Sequence, residues 1–184
     1  MELLRRIHKH RRGPFSNYLD EAVYGANDGI ITTFAVVSGA TGATLGTEVI
    51  VILGVANLVA DGFSMGASNF LSIRTEGDVR KVQGLRVRAE DRTPEALRRS
   101  FVTFSAFVIA GLIPILPFLN GAVEGREFLV SAVGAGFAFF FIGGIRTIVT
   151  KRGFLRSGIE MLLVGGIAAS LAYGVGYVIH GIVM

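Results

Sequence analysis

Long apolar runs alternate with short polar breaks along this chain. Four runs are plain, at residues 49–73, 101–119, 128–145 and 159–184. Each reaches or approaches the roughly 20 residues an α-helix needs to cross a hydrocarbon core about 30 Å thick. A fifth run, 22–43, is interrupted by Asp28. The polar breaks predict tight external turns at 44–48 and 120–127, the second carrying Gly121 and Gly125, and an internal connection over 74–99. The pattern thus predicts an all-α, polytopic membrane protein with five transmembrane helices. Their expected limits are about 16–43, 48–75, 100–119, 127–147 and 156–183, in a single membrane domain over 1–184. Pro94 predicts a short helix leading into the third span, and Pro114 and Pro117 a kink at its end.

Charge decides whether 22–43 crosses, because loops rich in Lys and Arg stay cytoplasmic. The amino tail carries Arg5, Arg6, Lys9, Arg11 and Arg12, the segment 74–99 carries eight basic residues, and 146–156 carries four. Arg126 stands apart. If 22–43 spans, 17 of the 18 basic residues share one side; if it does not, the tail and the eight-residue cluster are separated. The first arrangement predicts five spans, with the amino terminus in the cytoplasm and the carboxyl terminus outside.

Composition agrees. Hydrophobic residues make up 51%, charged residues 17%, and the mean hydropathy is +0.58, unlike a soluble domain. The 25 glycines suit close helix packing in lipid. A net charge of +4 and a pI near 9.8 suggest nucleic acid only until the basic residues are placed; they form a cytoplasmic collar, so no nucleic-acid partner is expected. There is no Cys, which excludes disulfides and thiolate sites. The basic start is followed by Asp20, Glu21 and Asp28 rather than a clean apolar core, so no cleaved signal peptide is expected. The absence of a targeting sequence and the compact chain point to a prokaryotic plasma membrane.

Candidate chemistry lies in the first two helices. An ionisable side chain at the helix centre costs roughly 2.5–3.5 kcal/mol, so it normally faces a cavity or a partner. Asp28 and Asp61 are the two that stand at membrane depth. Asn57, Asp61, Met65 and Asn69 are spaced four apart and form one slowly drifting stripe, flanked by Ser64 and Ser68. Gly62 and Gly66 offer an adjoining face to another helix. On the first helix Asn17, Glu21, Asp28 and Thr32 share a face, with the pair Gly25 and Gly29 close by. Carboxylates bind hard divalent cations, and a thioether shifts preference toward transition metals such as Fe²⁺ or Mn²⁺. The same carboxylates carry protons. Structural readings stand beside these: Met65 as packing, Asn57 and Asn69 as interhelical hydrogen-bonders, Glu21 as an interfacial charge, Asp28 and Asp61 as ion-pair partners. Glu160 reads as an interfacial or capping residue, His180 stands alone near the outer end, and His8 and His10 sit in a repelling basic tail. No nucleophile–base constellation is present, so neither an enzyme nor a resident cofactor is expected.

At these residues the chain resembles the vacuolar iron transporter family. Residues 28–43 read DGIITTFAVVSGATGA, residues 56–72 read ANLVADGFSMGASNFLS, and a weaker third stretch, 156–176, reads RSGIEMLLVGGIAASLAYGVG. Their order and spacing cover essentially all five predicted helices. The resemblance implies a homodimer in the lipid bilayer that moves Fe²⁺, often also Mn²⁺, out of the cytoplasm in exchange for protons. It implies a pathway between protomers lined by the first two helices, with Asp28 and Met65 as central metal-binding groups and Glu21 as a further acidic one. Two departures are plain. Some members carry Glu two turns before the motif's Met, where Asn57 stands here, and Asp61 supplies a carboxylate one turn closer. Many members join the second and third helices through a long glutamate-rich metal-binding domain; here 74–99 is short and net basic, a short form without it. That loss keeps a second reading open, a non-transporting membrane scaffold or partner subunit with structural carboxylates.

Overall fold

The computed structural model describes residues 18–119, 123, 125–147 and 153–183, apart from the side chain of Glu90. The basic tail with His8, His10 and Asn17, and also Gly121, Lys151 and Arg152, lie outside the described residues. Five long helices run in chain order: α1 (Leu19–Gly42), α2 (Thr47–Val82), α3 (Thr93–Gly111), α4 (Glu127–Ile145) and α5 (Phe154–Val183). A 3₁₀ turn, Ala89–Asp91, precedes α3, and a single helical turn, Leu116–Leu119, follows it. The fold is all-α and polytopic, as the hydrophobic pattern predicts.

α1 is the inner helix. It packs chiefly on α3 and α5, touches α2 and α4, and is joined to α2 by the short turn at 43–46. Glycines permit this. A Cβ on Gly25 or Gly29 would run into the backbone of Thr103 or Phe107 on α3, and one on Gly42 into Tyr173 on α5. Gly62 and Gly66 bring α2 onto α3 in the same way, with Phe104 3.2 Å and the Ser100 carbonyl 3.1 Å from where a Cβ would stand. The small-residue pairs of both helices therefore serve α3. Two apolar clusters fill the interior: Ile30, Phe34, Ala135, Phe139 and Met161 between α1, α4 and α5, and Val37, Ile50, Leu58, Phe107 and Ile115 between α1, α2 and α3.

By length and composition α2, α4 and α5 are each long and apolar enough to cross a membrane. α1 and α3 are less apolar, and their position explains it. α1 carries Asp20, Glu21 and Asp28 and packs against all four other long helices. Its 24 residues reach about 36 Å, more than a hydrocarbon core. α3 begins with Glu95, Arg98 and Arg99 and turns apolar from Phe101.

Three limits differ from the expected spans: both ends of α3, which stops at Gly111 rather than 119, and the end of α2, which continues into the first part of 74–99. α2 runs seven residues past 75, and α3 starts at Thr93 rather than 100, so the connection outside α-helix shrinks to 83–92. Side-chain pairs one turn apart, Arg80 with Glu76 at 2.9 Å and Lys81 with Asp78 at 2.8 Å, support the polar end of α2. Gly84, at φ +67°, ends it. Asp91 then folds the connection back. Its buried carboxylate accepts the Arg88 N–H at 3.0 Å and lies 3.5 Å from Arg80 Nε. Pro94 sits in the first turn of α3 itself, where its missing N–H costs nothing, rather than in a separate short helix. At the far end the helical path breaks over 112–115, and Ser131 Oγ on α4 donates to the Pro114 carbonyl at 2.7 Å.

Candidate functional site

Asp28 lies mid-way along α1, half-buried, one residue before the Gly29 contact with α3. The Thr32 hydroxyl donates to the Asp28 carbonyl at 2.8 Å, so it serves the backbone and leaves the carboxylate to other partners. One side of α1 here opens into a cleft of about 380 Å³, lined by Asp20, Tyr24, Asn27, Asp28, Arg146 and Met161 among others. Asn27 Oδ1 is buried and accepts no hydrogen bond from the described residues. The cleft therefore joins α1 to the ends of α4 and α5 that face the basic collar.

On α2 the four-residue stripe holds. Asp61 is exposed, and Asn57, Met65 and Asn69 are half-buried. Asp61 stands close enough to Asp28 for the two charges to interact. Met65 follows one turn toward the carboxyl end of α2, its side chain packed beside the Leu58 and Phe107 cluster. Asn57 Nδ2 is buried and donates to no described acceptor. Asn69 is engaged: its amide donates to Thr103 Oγ1 at 2.9 Å and pins α2 to α3. Asn57 and Met65 thus stand a turn to either side of Asp61 on α2, while Asp28 on the adjoining α1 borders the cleft with Arg146 and Met161.

Glu21 is placed differently. Its carboxylate pairs with Arg99 of α3 at 2.7 Å, and Arg99 also lies 3.8 Å from Glu95. The Glu21 side chain is only 12% exposed, so this is a largely desolvated pair holding the inner ends of α1 and α3 together. Glu160 pairs with Arg156 at 3.3 Å, as an interfacial residue does. His180 is not alone: its ring lies 3.2 Å from the Thr44 hydroxyl, tying α5 to the turn after α1.

Among the described residues no three His, Asp or Glu side chains gather as a metal site. α2 presents one carboxylate, a thioether and an amide along one stripe, and α1 a second carboxylate beside its cleft. Asp61 is also exposed on a helix apolar enough to span, a placement tolerated only beside water or a polar partner.

Fold and site together define a polytopic membrane protein with acidic groups inside its first two long helices. A sequence model of the VIT family matches residues 19–93 and 82–177, and the chain belongs to that family. It is 25% identical to the "Vacuolar iron transporter" of Toxoplasma gondii over 230 residues, covering 91% of this chain and 76% of that protein. It is 30% identical to "Vacuolar iron transporter homolog 2" of Oryza sativa subsp. japonica over 176 residues, covering 87% and 89%. "Vacuolar iron transporter 1" of Eucalyptus grandis is 20% identical over 228 residues, covering 94% and 92%.

Proposed function

We propose that this protein is a secondary transporter that exports Fe²⁺ or Mn²⁺ from the cytoplasm, with protons moving in the opposite direction. The observation that carries this reading is a pair of carboxylates, Asp28 and Asp61, on the adjoining helices α1 and α2, with Met65 one turn from Asp61, in a chain matched by a family whose named relatives are iron transporters. Oxygen ligands from Asp28 and Asp61 would neutralise the ion, and the Met65 thioether would favour a transition metal over Mg²⁺. Two copies facing each other across the α1–α2 face would double this half-set and cover Asp61. A homodimer with the pathway at its interface follows. Asn57 would add an amide oxygen on the outward side of Asp61. Glu21 would act at the cytoplasmic mouth, in exchange with Arg99. Protonation of the carboxylates on the acidic side would release the metal and return the protons. The prokaryotic plasma membrane remains our assignment for where this occurs. The test is metal flux in liposomes containing only this protein. Fe²⁺ or Mn²⁺ should move with opposing proton flux, and Mg²⁺ should not. Metal-independent proton flux, or no flux with a correctly folded protein, would refute the transport reading and favour a scaffold.

A further inference from the structure

On the side of α2 away from Asp61 lies a second feature, an apolar groove of about 450 Å³ between α2 and α3. Its walls are Phe63, Phe70, Leu97, Phe101 and Phe104. Phe63 follows Asp61 by two residues, and two residues rotate about 200° around a helix, so groove and carboxylate stripe occupy opposite faces. Phe63 is 71%, Phe101 67% and Leu97 55% exposed, so the groove opens away from the protein. With the amino terminus inside, as the asymmetry of Lys and Arg predicts, α2 runs inward and α3 starts at the cytoplasmic side, so the groove belongs to the inner half of the bilayer.

The cytoplasmic end of the groove is positively charged. Arg74 follows Phe70 by one turn on the same face, and its guanidinium donates to Thr93 Oγ1, crossing from α2 to α3 at the head of the groove. Arg98 stands beside Leu97 with 73% of its side chain exposed. The N-terminus of α3 carries no side-chain cap, so its first N–H groups add to the positive potential there. Glu95, the acidic residue of that first turn, is directed to Arg99 at 3.8 Å and Arg98 at 4.0 Å.

We infer that this groove binds an anionic phospholipid of the cytoplasmic leaflet, with an acyl chain among the phenylalanines and the phosphate at Arg74 and Arg98. An apolar trough ending in two guanidiniums at the membrane surface matches the two ends of such a lipid and nothing uncharged. A second copy fits this face poorly. Two chains inserted the same way meet at equal depth, so an isologous contact here would bring the two Arg74–Arg98 pairs together.

The chain contains no Trp, so Phe101→Trp provides a single fluorescent reporter in the groove, and Leu97→Trp a second if the first disturbs folding. Each is reconstituted in phosphatidylcholine vesicles and quenched with brominated-chain phosphatidylglycerol or brominated-chain phosphatidylcholine. Phosphatidylglycerol should quench at a several-fold lower mole fraction. Adding Arg98→Gln should cut that preference about fivefold, the effect of one basic residue near the surface. The comparison is Leu155→Trp, an exposed site on α5 beside Arg156, where preference should be weak. Equal preference at Leu155→Trp would mean general enrichment by the basic collar and overturn the site. So would a preference that survives Arg98→Gln. Quenching by neither lipid would show that protein, a second copy, fills the groove, and would overturn it too.

Discussion

The contact that positions Asp28 is the close approach of α1 to α3 at Gly29. A Cβ there would stand 2.9 Å from the carbonyl carbon and the Cα of Phe107, and nearer still to its oxygen. These are backbone atoms in a helix interior and cannot swing aside, so Gly29→Ala must push the two helices apart. Over-packing of this kind costs about 1–3 kcal/mol, which for a chain this size is roughly 2–12 °C in Tm. Separation would also disrupt the neighbouring Gly25 contact with Thr103 and lengthen the Glu21–Arg99 pair. The internal control is Gly136→Ala on α4, where nothing lies within 4 Å of the added carbon. There the gain in helix propensity, about 0.5–1 kcal/mol, should make the variant neutral or slightly more stable. Thermal unfolding of both variants in the same detergent, monitored by helical circular dichroism, gives the comparison. If Gly29→Ala melts with or above Gly136→Ala, α1 is not seated on α3 as described. The position assigned to Asp28 would then fall with it.

Other outcomes follow from single contacts. Glu21→Gln or Arg99→Gln alone leaves the opposite charge largely desolvated and should destabilise by about 2 kcal/mol, below the 3–5 kcal/mol of a fully buried pair because Arg99 is 21% exposed and keeps Glu95 nearby. The double variant should recover much of that loss, and additive single effects in a double-mutant cycle would contradict the pairing. Asn69→Ala should cost about 0.6 kcal/mol, typical of an interhelical hydrogen bond in a membrane protein, and should cost nothing in a Thr103→Val background. Asp61→Asn removes a charge but keeps the shape, and should weaken Mn²⁺ binding roughly 10–100-fold by titration in detergent; unchanged affinity would remove Asp61 from the site.

Much of this architecture is legible in the sequence, because crossing a bilayer imposes a length and a charge asymmetry. Counting Lys and Arg by side makes the acidic first run an expected span, and the structure has there a 24-residue helix, α1, in contact with all four other long helices. The stripe Asn57, Asp61, Met65 and Asn69 is likewise readable, since a period of four is helical geometry. What hydropathy does not mark is where helices end. Apolar character stops at the membrane surface, whereas backbone hydrogen bonding continues wherever pairs such as Arg80–Glu76 support it. The Glu21–Arg99 pair is hidden for that reason. If α3 is counted only from 100, Arg99 belongs to a loop; once Pro94 is taken as its first turn, Arg99 falls inside the helix, on the turn that meets Glu21. The Asn69–Thr103 bond and the approach of Arg146 and Met161 to the Asp28 cleft depend on which helices are neighbours, and a single sequence carries no signal for that.

The central claim is that Asp28 sits on a route for transition metal coupled to protons. Its most direct test is simultaneous measurement of metal and proton flux in proteoliposomes across a pH gradient, comparing the natural protein with Asp28→Ala. The account predicts Fe²⁺ or Mn²⁺ uptake with matching proton movement in the natural protein and loss of both in Asp28→Ala, with Mg²⁺ inert throughout. Metal-dependent proton flux that persists unchanged in Asp28→Ala would contradict it.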